Sequence, residues 1–311
     1  MEPFAYHKGQ RAVQREANSV LCADKLAAWV GPVVRFASIA DLIVMASLGA
    51  DGFRVAALSG PAPLVNARED GSDLVIGFPK ALGGHLPVGR PAGGIVINPA
   101  EARRSRISGV LEDRGHELAI RCQIGFTNCR KYMSPTASAG TAVHVGPTGR
   151  QPLSLDDPWT VATLAAAETA FLVTATPNGV ADVSHRGGQP GFLRFDPASG
   201  TIEWTEYLGD GMFVSTGNLR LDGRFALLVL DFATGDALRL DGEATYTNIR
   251  ADRRERVDAL IQAGEPFPVQ GRMTAIVRRA EQLVRFTEPR TRVARKQRIT
   301  SADTTEVQHP Q

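Results

Sequence analysis

In the second half of the chain, Asp182-Val183-Ser184-His185-Arg186 places a carboxylate, a hydroxyl, an imidazole and a guanidinium within five consecutive residues. The stretch continues as Gly187-Gly188-Gln189-Pro190-Gly191-Phe192 and follows an apolar run, Ala170–Val173, and an Asn178-Gly179 pair. That order predicts a strand, a tight hairpin, a second strand and a polar, glycine-rich bend that carries His185 and Arg186. Backbone N–H groups in such a bend, beside Ser184, Arg186 and Gly187, suit a phosphate, because guanidinium and amide donors answer its charge directly. An isolated His185 reads more simply as a hydrogen-bonded structural residue than as a base.

A second group, Met212 to Asn218, adds Ser215, Thr216, Gly217 and Asn218. These predict the cap of a helix that begins near Leu219, with hydroxyl donors gathered at its start. Met212 fits the core and a ligand-facing position equally well. In the first half, Arg103, Arg104 and Arg106 lie on a predicted strand, where Arg104 and Arg106 share one face. The spacing suits a solvated strand edge or a pair of cations facing an anion. Cys129 reads as a small buried residue, since no adjacent histidine would activate it as a nucleophile. The six histidines show no metal-ligand spacing, so no metal site is expected. Gly93-Gly94 lacks the motif and following helix of a dinucleotide-binding turn.

The elements that must position these residues are short strands. A chain of 311 residues with 43% apolar and 22% charged residues is an ordinary globular composition, long enough for two domains. A net charge of +2 argues against a nucleic-acid partner, and the arginine-rich stretch 285–298 holds a single aromatic, Phe286, and no interleaved series. The polar opening is no signal peptide, no apolar run is long enough for a membrane span, and three cysteines make no disulfide framework. These features predict a soluble, cytoplasmic protein.

Residues 1–30 read as a helical lead-in to a strand-rich block over about 38–132. Residues 136–155 read as a linker, and a helix is predicted from Asp157-Pro158 to about Glu168. A second strand-rich block follows, with a further helix over 252–263. The blocks echo one another: a shift of 127 positions carries Asp51-Gly52 onto Asn178-Gly179, Gly60 onto Gly187 and Pro63 onto Pro190, and Gly109 and Gly242 lie 133 apart. Tandem duplication of one β-rich domain is therefore expected. The first copy has only Leu58-Ser59-Gly60-Pro61 where the second carries charged donors. The boundaries are 1–135 for the lead-in and first domain, 136–155 for the linker, 156–290 for the second domain, and 291–311 for a polar tail expected to be disordered.

Several of these segments resemble one subgroup of the pyridoxamine 5′-phosphate oxidase-like family, whose fold is the FMN-binding split barrel. They are Tyr6–Gln14, Arg103–Gly109, Asn128–Tyr132, Ala181–Phe192, Gly209–Asn218, Arg224–Leu228 and Asp231-Phe232, in the order the subgroup has them, across roughly residues 4–285. The resemblance implies a mainly β protein of two tandem antiparallel split barrels and FMN held without a covalent bond between them. Ser184, His185, Arg186, Gly187, Met212, Ser215, Thr216 and Asn218 would contact FMN, joined by Arg104, Asn128 and Lys131 of the first copy. It also implies an oxidoreductase whose flavin accepts a hydride or electron pair and passes it to oxygen or another acceptor, with a small-molecule substrate and NAD(P)H or oxygen as redox partner. Catalytic side chains are not assigned. The barrels would pair within one chain, as a pseudo-dimer, or across a homodimer. The chain departs from the subgroup at Arg130, where a proline is usual, at Asp210-Gly211, where an asparagine pair is usual, and at Ala102, where a basic residue is common. A non-catalytic flavin or haem carrier, or a split-barrel enzyme that works without flavin, is the alternative expectation.

Overall fold

The computed structural model describes residues 5–28, 33–70, 73–80, 82, 86–129, 132–133, 143–146, 149–249 and 268–285. The lead-in forms two helices, α1 (Lys8–Glu16) and α2 (Val20–Ala28), followed by the short α3 (Val33–Ala37). His7 caps α1: its Nδ1 accepts from Gly9 N at 3.1 Å, and Gln10 Oε1 accepts from His7 N at 3.1 Å, completing a capping box.

The protein is mainly β, with two antiparallel sheets. The first contains β1 (Leu42–Gly49), β2 (Gly52–Ser59), β3 (Asn66–Asp70), β4 (Asp73–Phe78), β5 (Pro91–Asn98), β6 (Arg103–Asp113), β7 (Leu118–Thr127) and β8 (His144–Val145). Its order is β3-β4-β7-β6-β5-β1-β2-β8. The second begins with β9 (Arg150–Leu153) and α4 (Pro158–Ala166), then β10 (Thr169–Ala175), β11 (Ala181–Gly187), β12 (Arg194–Asp196), β13 (Thr201–Tyr207), α5 (Val214–Leu219), β14 (Arg224–Leu230), β15 (Ala237–Asn248) and β16 (Val269–Leu283). Its order is β11-β10-β14-β15-β16-β13-β12, with β9 paired to β16. Read from opposite ends, β2-β1-β5-β6-β7-β4-β3 and β11-β10-β14-β15-β16-β13-β12 follow the same path. Gly109 on β6 and Gly242 on β15 both sit at a register shift.

One sequence expectation changes here. Residues 143–146 and 149–155, read as linker, contribute β8, which pairs with β2, and β9, which pairs with β16. The apolar content of this stretch is too low to signal a strand, and the pairing uses backbone groups on existing edges. Pro158–Ala166 is helical as expected, with Asp157 accepting from Trp159 N at 2.9 Å and Thr160 N at 3.3 Å. The helix expected over 252–263 and the tail 291–311 lie outside the described residues.

The hairpin strands explain why their sequences are apolar without alternation. Strands buried on both faces read as continuous apolar runs. On β1, Ile43 and Met45 face the first sheet's own core, together with Ile76, Val96 and Leu111. Leu42, Val44 and Ala46 face the other way, onto Phe171, Val173 and Val183 of the second sheet. On β10 and β14, Leu172, Leu227 and Val229 face the second sheet's core around Trp204, whereas Phe171, Ala226 and Leu228 join the shared layer. Each large side chain buried there contributes roughly 1.5–3 kcal/mol. The two sheets are thus held face to face within one chain. The backbones come close at Gly93 on β5, where an added Cβ would lie 2.0 Å from the Ala181 carbonyl oxygen on β11.

Candidate functional site

A cleft opens where the two sheets meet, between β5, β6 and the end of β7 on one side and β11, β13 and α5 on the other. The structure brings Arg104, Asn128, Ser184, His185, Arg186, Gly187, Ser215 and Thr216 to its walls, residues drawn from about a third of the chain's length. Tyr132, Phe192, Tyr207 and Phe213 add aromatic surface.

Arg186 is the hub. Its Nη1 donates to Ser184 Oγ and to the His185 carbonyl, both at 3.0 Å, and its Nη2 donates to Ser215 Oγ at 3.0 Å. Its Nε donates to Glu206 Oε1 at 2.6 Å. Glu206 Oε1 also accepts from Trp204 Nε1 at 2.8 Å. The two serine hydroxyls lie 3.1 Å apart. Guanidinium and hydroxyls therefore form one connected cluster, with Glu206 as its counter-charge.

His185 is held in one protonation state. Arg104 has only donors, so its Nη1, 2.7 Å from His185 Nδ1, fixes Nδ1 as the acceptor and leaves the ring proton on Nε2. Burial, followed by the charges of Arg104 and Arg186, pushes the imidazole pKa well below its ordinary value. The ring meets Phe171 edge-on, centroids 5.9 Å apart. Arg104 Nη2 also lies 3.8 Å from Cys129 Sγ.

Across the cleft, Asn128 Nδ2 donates to Asp210 Oδ2 at 2.9 Å, and Asp210 Oδ1 accepts from Met212 N at 3.1 Å. Asn128 Oδ1 is buried without a hydrogen-bond partner. Tyr132 donates to the Leu208 carbonyl at 2.9 Å, and burial pushes its phenol up to about 12, so it remains an O–H donor. Three guanidiniums, Arg104, Arg106 and Arg186, face two carboxylates, Glu206 and Asp210, on the cleft lining.

Several sequence assignments move. Ser184, His185 and Arg186 lie on β11 itself, not in the bend, because residues 181–187 pair throughout with β10. The bend starts at Gly188, whose N–H is already given to the Glu168 carbonyl at 3.2 Å. The donors on the cleft wall are therefore side chains, not a loop of backbone amides. Ser215, Thr216, Gly217 and Asn218 lie inside α5, which ends at Leu219 where the sequence placed its start. Phe213 takes the cap position in the left-handed region at φ 52°, with no side-chain cap, an unusual backbone that sequence pattern does not reveal. Asn218 is wholly buried away from the cleft: its Oδ1 accepts from His7 Nε2 at 2.7 Å and Gln10 Nε2 at 3.1 Å, and its Nδ2 donates to Thr174 Oγ1 at 2.9 Å. It ties α1 to α5. Met212 is core, packed with Phe126 and Val214. Lys131 lies outside the described residues.

Arg106 does not extend the Arg104 cluster. It pairs with Asp182 of β11 and stacks over Phe126 at 5.2 Å from the ring centroid. Glu206 was missed by the sequence reading. Alternation along β13 puts Ile202, Trp204 and Glu206 on one face, which marks Glu206 as an inward carboxylate in need of a cation.

The fold and cleft define a mainly β protein of two antiparallel sheets with a polar site at their junction. No family model and no curated protein matched this chain. Among solved structures it is similar to the HupZ protein of Group A Streptococcus, at 15% identity over 40% of this chain and 94% of that one, with a TM-score of 0.30. It is likewise similar to a protein from Clostridium acetobutylicum related to general stress protein 26 of B. subtilis, of the pyridoxinephosphate oxidase family, at 11% identity over 40% and 85% with a TM-score of 0.29. A conserved protein of unknown function from Corynebacterium diphtheriae matches at 13% identity over 44% and 99%, with a TM-score of 0.31. No helix among the described residues is long and apolar enough to cross a membrane.

Proposed function

We propose that the chain is an FMN-dependent oxidoreductase acting on a small molecule, its two sheets being duplicated copies of one unit with a single principal cofactor site between them. The observation that carries this reading is the Arg186–Ser184–Ser215 cluster on the cleft wall. It supplies one guanidinium and two hydroxyls at one point, a donor set suited to a phosphate monoester. The aromatic lining suits a flat ring system. Arg104 holds His185 neutral, so a donated Nε2–H is its available role. Tyr132 stays protonated and anchored to Leu208. Bound FMN would accept and return the electron pair, and the residues here bind, orient and exclude water. NAD(P)H and oxygen are the candidate redox partners.

Glu206 and Asp210 favour a second reading, in which the cleft serves without flavin, because two carboxylates oppose an anionic cofactor. Haem carriage fares less well: His185 Nε2 holds the ring proton, so its lone pair is not available to iron. The purified protein's absorption spectrum separates these readings. Flavin bands that bleach with NADPH under anaerobic conditions and return in air support the proposal. A protein that binds no added FMN rejects it.

A further inference from the structure

A groove of about 360 Å³ lies between α4 and the end of β14, and no residue lines both it and the cleft. Trp159, Ala162 and Ala166 of α4 form one wall, and Val229 and Phe232 form the other. Ala162 and Ala166 are exposed, as is neighbouring Val161, so α4 leaves an apolar face uncovered among the described residues. Uncovered apolar surface beside a groove marks a docking place. Two carboxylates, Glu168 and Asp231, also line it, and no Lys or Arg among the described residues does. Asp231 is held in its own turn, accepting from Ala233 N and Thr234 Oγ1 at 2.9 Å, but it keeps its negative charge there.

The described chain ends beside this groove. Asp236 accepts from Arg285 N through Oδ1 at 2.8 Å, and its carbonyl accepts from Asp231 N, on the groove wall, at 2.9 Å. One residue therefore touches both the wall and the point where the chain leaves β16. The next residues, 286–299, hold Arg290, Arg292, Arg295, Lys296 and Arg298 against Glu288, with Phe286, Val293 and Ile299 among them. Their charge is opposite to that of the groove, and their apolar side chains match its walls. A cavity of about 150 Å³ accommodates benzene, so this one takes roughly two side chains of that size. Other stretches outside the described residues fit less well. Residues 250–267 begin and end at the far end of the twelve-residue β15, and 134–142 carry no charge. We propose that the groove between α4 and β14 is the docking site of the chain's own basic segment, residues 286–299. This is independent of the cofactor reading, and its test needs no flavin.

Trypsin reads the docking in the full chain, because its cleavage of the arginine-rich segment follows the undocked fraction. Ala162→Trp, at an exposed position of α4, should fill the groove and speed cleavage within 290–298 about tenfold, followed by mass spectrometry. Raising the salt to about 0.5 M should speed cleavage of the unaltered chain and leave that of Ala162→Trp as it was, since exposed charges are screened. A chain ending at Arg285 keeps every described element. In calorimetry it should bind a synthetic 286–299 peptide one-to-one, about tenfold more tightly than does the full chain, whose groove is already taken. The shortened chain carrying Ala162→Trp should not bind the peptide. If Ala162→Trp loses its cooperative melt, Ala166→Phe replaces it with the same expected effects. Equal cleavage rates in the unaltered and filled chains, no saturable peptide binding, or binding that survives the filled groove would each overturn the proposal. Protection that disappears on dilution would give the groove to a second copy of the chain, and would overturn it as well.

Discussion

Arg186 and Glu206 allow a sharp test of how the cleft is held together. Their side chains are 15% and 13% exposed, and Arg186 Nε lies 2.6 Å from Glu206 Oε1. Replacing Arg186 with Met keeps most of the apolar stem but removes every donor to Ser184, Ser215 and Glu206. Glu206 then remains buried with only the Trp204 indole as partner. Breaking a buried pair from one side costs about 3–5 kcal/mol, chiefly through the stranded charge. Partial exposure puts this pair near the lower end. At about 2–4 °C per kcal/mol for a chain of this size, the single variant should melt roughly 6–12 °C lower. The double variant Arg186→Met/Glu206→Gln keeps an acceptor for Trp204 and strands no charge, so it should recover at least half of that loss. Differential scanning calorimetry at neutral pH measures both. A double variant as unstable as the single one refutes the reasoning, since the loss would then lie in packing or serine contacts rather than the carboxylate. The same proteins test the cofactor reading: both should bind FMN ten- to a hundredfold more weakly, following the roughly 1.5–3 kcal/mol of a charge-assisted contact.

Other consequences are more local. His185 is kept neutral by burial, so the unfolded chain binds its proton more readily and the stabilisation is present above the unfolded pKa of about 6.5. As pH falls from 7 to 5, stability should drop by up to about 1.4 kcal/mol per unit, and His185→Gln, which still accepts from Arg104, should flatten that slope in melting curves. Gly93→Ala drives a methyl into the Ala181 carbonyl between the sheets and should cost about 1–3 kcal/mol, read as a lowered melting temperature; no loss would mean that the sheets are not held in this contact. Asn218→Ala strands the donors of His7 and Gln10 and should cost about 1–3 kcal/mol while leaving FMN affinity unchanged, whereas an affinity loss would restore Asn218 to the cofactor site.

What the sequence revealed, and what it hid, follows from the range of each interaction. Strands and tight turns are local. The expected hairpins form at 42–59 and 169–187, with Gly52 at φ 106° and Gly179 at φ 79° in the turns. Helix α4 likewise follows from Asp157 and Pro158. The fate of each polar residue is not local. Arg104 and Arg106 share a strand face, yet one meets His185 and the other Asp182, which lie three residues apart and on opposite faces of β11. Asn218 and Ser215 are three positions apart on one short helix, which turns Ser215 to Arg186 and Asn218 to α1. No spacing rule separates those roles until α1 is docked.

The apolar runs carry a further lesson about assembly. Ala226-Leu227-Leu228-Val229 has no alternation to read, so pattern alone shows burial without saying on what. The structure splits it by parity: Leu227 and Val229 enter one core, and Ala226 and Leu228 enter the layer shared with β1 and β5. The same parity rule applies to β1. Two units so built cannot expose those faces to water singly, since Leu42, Val44, Phe171 and Leu228 would form one contiguous apolar patch on each. Intrachain pairing therefore satisfies a demand already present in both halves. It also places Arg104 of one half against His185 of the other, so the site exists only when that demand is met. A chain cut within residues 136–142 should accordingly yield halves that associate or aggregate rather than stand alone. Light scattering of each half, alone and mixed, would show it, and two stable monomers would contradict the shared core.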